Sequence, residues 1–187
     1  MTDQYRKTPR ANWIDYNKGI FFITICTKNR IHFFGSITDG VMNLSEIGDI
    51  VERHLLTASQ YLENIDIPLY VIMPNHIHMI VCIDNKRDDG DDTNPISQRN
   101  PNPLLRANST CQRHVPTLSK YINSFKGAVT KEARKISSDF SWQSRYHDHL
   151  IRNDREANKI SDYIINNVAR WGEDCFNPTS PRYVPDA

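Results

Sequence analysis

No apolar run in this sequence approaches the ~20 residues that a membrane-spanning helix needs, so nothing in it reads as a membrane protein. Residues 1–10 are polar and lack the apolar core of a signal peptide, and the expected location is the cytoplasm. Cysteine is sparse and without pattern. Of Cys26, Cys82, Cys111 and Cys175, none belongs to a Cys-x-x-Cys pair, which argues against a zinc site or a disulfide framework. Cys26 and Cys82 lie inside apolar runs and read as buried thiols. A strong net charge is missing too: the formal charge is +1 over 187 residues, so the chain as a whole is not a polycation.

What is present fits a single domain with a core, 39% hydrophobic and 24% charged. The charge is uneven. Residues 1–30 carry six basic residues against Asp3 and Asp15, and residues 118–135 carry five against Glu132, a local +4 in each case. Two such stretches suit either a groove for a polyanion or two solvated faces.

The chain reads around residues 69–83, two apolar runs rich in β-branched residues and broken by Met73-Pro74-Asn75. In the second run, His76, His78, Ile80 and Cys82 share one face of a strand, and Ile77, Met79, Val81 and Ile83 share the other. Two imidazoles pointing the same way can hold one divalent ion, or they are ordinary polar positions on a half-exposed strand.

Before this pair, residues 20–27 alternate as a strand. Residues 31–37 form a short second strand, and Asp39-Gly40 signals a hairpin returning through 41–44. A helix with stripe Ile47, Ile50, Val51, Leu55 runs to about Tyr61, and residues 63–68 form its connection. Residues 84–115 hold acidic residues, prolines and polar residues without apolar periodicity and are expected to be a flexible insertion. Residues 117–136 form a helix in which Leu118, Tyr121, Ile122, Phe125, Val129, Ala133 and Ile136 follow the three-and-four spacing and lysines occupy the other face. Residues 146–151 read as a strand. Asn153 and Glu156 make a capping box that opens a last helix, ended by Gly172. The expected organisation is one domain over 1–175 and an irregular tail over 176–187.

The order predicts an α+β fold: a ferredoxin-like β-α-β-β-α-β antiparallel sheet with an additional C-terminal helix. The two outer-coded strands are expected to form its central pair, with the helices over one face. Tyr163 and Asn167, four apart on the last helix, share one margin of its stripe. There they either meet the histidines or are a rim-of-core tyrosine and a surface amide.

His76-Ile77-His78 after Met73-Pro74-Asn75, then Trp142-Gln143, His149 to Asn153 and Asp162 to Asn167, resemble the single-tyrosine HUH transposases. The set most resembles the bacterial REP-associated tyrosine transposases, from about Tyr5 to Trp171. The resemblance implies an enzyme that binds a single-stranded DNA hairpin beside a guide sequence. It cleaves and rejoins DNA through a 5′-phosphotyrosine, with Mg²⁺ or Mn²⁺ as cofactor. Tyr163 would be the nucleophile; His76, His78 and Asn167 would hold the metal. Members commonly carry Gln where Asn167 stands, so the shorter amide has less reach. Tyr146, near His147 and His149, is the second candidate nucleophile. Tyr5, Arg6, Lys7, Lys126 and Arg152 are the expected DNA contacts, and His149 is expected to support the site or the strand pairing. A monomer or a homodimer is compatible. The alternatives are a non-catalytic hairpin-binding module and a related HUH replication-initiator endonuclease.

Overall fold

The computed structural model describes residues 18–61, 64–84 and 117–183. Four strands make one sheet: β1 (Lys18–Cys26), β4 (Ile65–Met73), β5 (His76–Asp84) and β6 (His147–Ile151), in the order β4-β5-β1-β6. All three neighbouring pairs are antiparallel. The central pair is therefore β1 and β5, matched along all nine residues from Lys18↔Asp84 to Cys26↔His76. The expectation that the outer-coded strands sit in the middle is corrected: β6 is an edge strand. Five residues with alternate positions exposed suit an edge, whereas β5 is buried at seven of its nine positions.

The alternation of β1 and β5 divides the core. Phe21, Ile23, Ile25, Ile77, Met79, Val81 and Ile83 face α1 (Glu46–Tyr61) and α2 (Leu118–Ala133). Those two helices meet each other through Glu132, which accepts from Arg53 at 2.7 Å and pairs with His54 at 2.8 Å. A separate hairpin, β2 (Gly35–Thr38) and β3 (Val41–Leu44), turns at Asp39 and Gly40, both with positive φ as a tight primed turn requires. Its first strand is shorter than expected. Residues 31–34 lie outside it, and residues 28–30 before them form a 3₁₀ turn in which Asn29 and Arg30 take positive φ.

β4 begins at Ile65, inside the expected connection, and Pro68 lies within it. Pro68 falls in the register irregularity between Asp66 and Leu69, on an edge strand, where a missing N–H costs no ladder bond.

The opposite sheet face is smaller. Ile80, Ile151, Phe22, Leu69 and Val71 pack under Ile164, Ala157 and Ile160 of α3 (Asp154–Ile165). The helix stops at Ile165, short of the predicted end near Gly172. Asn166 caps it with its side-chain amide donating to Asp162 O at 2.7 Å, a local bond that competes with another helical turn. Asn167 therefore stands just beyond the helix. The chain then doubles back through a 3₁₀ turn (Trp171–Glu173), and residues 174–183 are irregular but packed, with Asn177 and Ser180 buried.

Candidate metal and tyrosine site

The strand period places His76 and His78 on the α3 face, opposite Cys26 and Thr24 of β1. Both are buried, at 0% and 2% exposure. The adjoining Asn75, also fully buried, fixes one of them. Its amide nitrogen donates to Arg30 O (3.1 Å) and Phe176 O (2.8 Å), so its Oδ1 faces His76 Nδ1 at 2.8 Å. An acceptor there means that Nδ1 carries the proton and Nε2 of His76 offers a lone pair. His78 Nδ1 lies 2.8 Å from Thr24 Oγ1, a hydroxyl that can donate or accept and so serves either tautomer.

The two Nε2 atoms stand 3.1 Å apart. Two nitrogens bound at about 2.1 Å and at right angles to one ion would be ~3.0 Å apart. Phe22 stacks on the His78 ring, and Phe176 packs edge-on to His76. Burial, then the neighbouring His78, Arg30 and His32, pushes the His76 pKa well below the ordinary histidine value. Burial and then His147 push that of His78 down to about 3. Both rings are neutral at pH 7, the form that ligates a metal.

From α3, Tyr163 places its hydroxyl 3.1 Å from His78 Nε2 across 85 residues of sequence. Its ring sits edge-on to Phe22 and remains 39% exposed. Burial and then the charge of Asp174 push its pKa up to about 12, partly opposed by a hydrogen bond from Asn167. Asn167 is 2% exposed, and its Oδ1 has no hydrogen-bond partner. A buried carbonyl left so costs about 1–3 kcal/mol, and a cation is one group that would satisfy it.

Asp174 enters the site unforeseen. Its Oδ2 lies 3.9 Å from His76 Nε2, and its side chain is 5% exposed. Oδ1 accepts from Phe176 N at 2.7 Å. Burial raises its pKa, while the Phe176 N–H and Arg30 hold it down. The donor atoms of His76, His78 and Asp174 all lie within 4.8 Å of one another. A cleft of about 360 Å³ lined by Tyr163, Asn167, Arg170, Asp174 and Arg182 opens beside them. One signal for the tail existed in the sequence: Trp171 and Phe176 are large aromatic residues within a polar, irregular segment and need a surface to bury against.

The other expected residues disperse. Lys126 donates to Gln143 O at 2.6 Å beside the Trp142 ring. Arg152 is exposed, and its backbone N–H meets Glu156 Oε2 at 2.8 Å. His149 pairs with Glu156 Oε1 at 2.6 Å, tying β6 to the first turn of α3. Tyr146 packs on the α1–α2 side of the sheet and meets Ser119 Oγ at 3.1 Å, so it does not join the histidines. Tyr121 is core, as its spacing predicted. Tyr5, Arg6 and Lys7 lie outside the described residues.

The helix carrying Tyr163 starts at a cap that the structure forms as the sequence implies: Asn153 Oδ1 accepts from Glu156 N at 3.0 Å. Asn153→Ala is expected to lower stability by about 1 kcal/mol, read as a lower urea midpoint at unchanged slope.

The donor chemistry fits a divalent ion: a fixed Nε2 lone pair, a second neutral imidazole at cis-ligand distance, an orphaned amide oxygen and a nearby carboxylate. Among the described residues no helix is long and apolar enough to cross a membrane.

No protein-family model matches the chain. Among curated proteins it is similar to an uncharacterized protein of Haemophilus influenzae, 33% identical over 173 residues, covering 91% of this chain and 92% of the relative. It is also similar to a second protein of Haemophilus influenzae, named "Putative REP-associated tyrosine transposase", 25% identical over 160 residues, covering 84% of this chain and 75% of the relative. Among solved structures its fold is similar to that of a REP-associated tyrosine transposase bound to a REP hairpin, with a TM-score of 0.55 and 18% identity over 91% of this chain and 75% of that one.

Proposed function

We propose that this chain is a REP-associated tyrosine transposase, in line with the relative of that name and the fold to which it is similar, and that it cleaves and rejoins single-stranded DNA beside hairpins through a covalent 5′-phosphotyrosine. The observation that carries the reading is the Tyr163 hydroxyl 3.1 Å from His78 Nε2, brought there by two elements of unrelated sequence position. A rim tyrosine has no need of a buried, neutral histidine pair.

In this reading Tyr163 Oη attacks the phosphorus. The bond between phosphorus and the 3′ oxygen breaks, leaving the 5′ phosphate on tyrosine and a free 3′-hydroxyl. The phosphodiester is kept in the protein–DNA bond, so a 3′-hydroxyl can later reverse the step and rejoin strands without an external energy source. With its pKa pushed up to about 12, Tyr163 is protonated at neutral pH and needs help to react. A divalent ion, when bound, supplies a Lewis acid that polarises the phosphate and stabilises the departing oxygen. His76 and His78 would hold that ion, and Asn167 would offer its unpaired Oδ1. Imidazole ligands suit Mn²⁺ better than Mg²⁺, which favours oxygen. Asn167 beside Tyr163 opposes the rise in its pKa, which favours the phenolate.

The proposed partner is a DNA hairpin, the ligand of the structurally similar transposase. Arg170 and Arg182 line the cleft at Tyr163 and are added to Arg152, Lys126, Tyr5, Arg6 and Lys7 as phosphate or base contacts. The strand order supports the ferredoxin-like assignment. Tyr163 reaches the histidines of its own chain, which supports a site complete in one protomer. The proposed setting is the cytoplasm, where its DNA substrate resides.

The test is incubation with a single-stranded hairpin oligonucleotide and Mn²⁺, followed by denaturing electrophoresis. A covalent adduct is expected. Tight hairpin binding without adduct at any metal concentration would instead support the non-catalytic module.

A further inference from the structure

We infer that Asp174, carried by the segment after α3, is a third ligand of the ion held by His76 and His78. The inference rests on the metal-assisted reading above and deepens it. Two lone-pair groups, His76 Nε2 and Asp174 Oδ2, face each other with no proton between them. Asn75 holds the proton of His76 on Nδ1, so His76 Nε2 faces Asp174 Oδ2, 3.9 Å away, acceptor against acceptor. His78 Nε2 stands 3.1 Å from His76 Nε2. At 5% exposure the carboxylate has little water to stabilise it.

The backbone of the segment aims it. Phe176 N holds Asp174 Oδ1 at 2.7 Å, leaving Oδ2 toward the histidines, and Phe176 O is clamped by Asn75, the residue that orients His76. One asparagine thus positions a strand ligand and the tail that brings the carboxylate. The resulting set is two imidazoles, one carboxylate and the Asn167 amide oxygen, with open positions for phosphate and water. Such a set favours Mn²⁺ and other first-row ions over Mg²⁺. Its charge with a divalent ion is +1, which still attracts a phosphodiester.

The experiment titrates Mn²⁺ into the full metal-free chain and follows the free-ion signal by electron paramagnetic resonance, with no DNA present. Asp174→Asn, similar in size but uncharged, is expected to weaken Mn²⁺ binding about 10- to 100-fold, and Asp174→Glu to recover part of the loss. The metal-free melting temperature of Asp174→Asn is expected to equal or exceed that of the wild type, because a buried charge facing the His76 lone pair is removed. If Asp174→Asn binds Mn²⁺ within twofold of wild type while His76→Ala and His78→Ala lose it, Asp174 is not a ligand and the histidine site stands. If the wild type binds no Mn²⁺, or the histidine variants bind it unchanged, both readings fall. Should Asp174→Asn not fold, Asp174→Glu carries the test: unchanged affinity and unchanged Mn²⁺ to Mg²⁺ preference overturn the inference.

Discussion

Tyr163→Phe is expected to abolish covalent capture of hairpin DNA, by roughly 10³-fold or more, the scale of loss when a nucleophile is removed. Neither Tyr121 nor Tyr146 can substitute. Tyr121 is buried in the α2 core, and Tyr146 lies on the other side of the sheet bound to Ser119. The fold should survive, because the change keeps the ring against Phe22 and removes one hydroxyl whose hydrogen bond is worth about 1 kcal/mol. Hairpin affinity and Mn²⁺ affinity should stay near wild type. Denaturing electrophoresis against time gives the rate loss, and a native shift assay gives the binding. An adduct formed by Tyr163→Phe at a wild-type rate would remove Tyr163 from the chemistry.

The histidine pair makes the second large effect, on stability. In chelator, His76 and His78 stay neutral when folded, whereas an unfolded histidine titrates near ~6.5. The folded pKa of His78 is depressed to about 3, so the stability present above pH 6.5 is lost progressively as the pH falls toward that value. Between pH 6.5 and 5 the loss from His78 is about 2 kcal/mol, and His76, also depressed, adds in the same direction. Urea unfolding at pH 7 and pH 5 measures it. His78→Gln should remove its share of the pH slope. Mn²⁺ at 100 times its dissociation constant should add back about 2.7 kcal/mol, because the ion binds only the folded chain. Equal stability at both pH values would mean that the pair is not held neutral.

Much of this site could be read from residue spacing, for reasons that particular residues make plain. A period of two is a strong constraint, so His76 and His78 had to share a face, and the structure puts them there. The Asn153 and Glu156 cap located the start of α3 because its bonds are local. Its end was misread because Asn166 offered the backbone an alternative that periodicity does not register. Pro68 looked like a strand boundary, yet an irregular register on an edge strand accommodates it. Asp174 was out of reach for a deeper reason. Residues 174–183 have no repeat, and what buries them is contact with Asn75 and His76, about 100 residues away, through Phe176. Lys126, which charge patterning marked for phosphate, also donates to a carbonyl of its own chain, a tertiary contact that charge patterning does not register.

In the proposed mechanism one covalent bond joins Tyr163 to a 5′ phosphate. Tandem mass spectrometry of the nuclease-trimmed, proteolysed adduct tests it most directly. The nucleotide mass is expected on the Tyr163 side chain, with the released strand ending in a 3′-hydroxyl. A nucleotide on Tyr146 or any other residue, or a released 3′ phosphate, would contradict it.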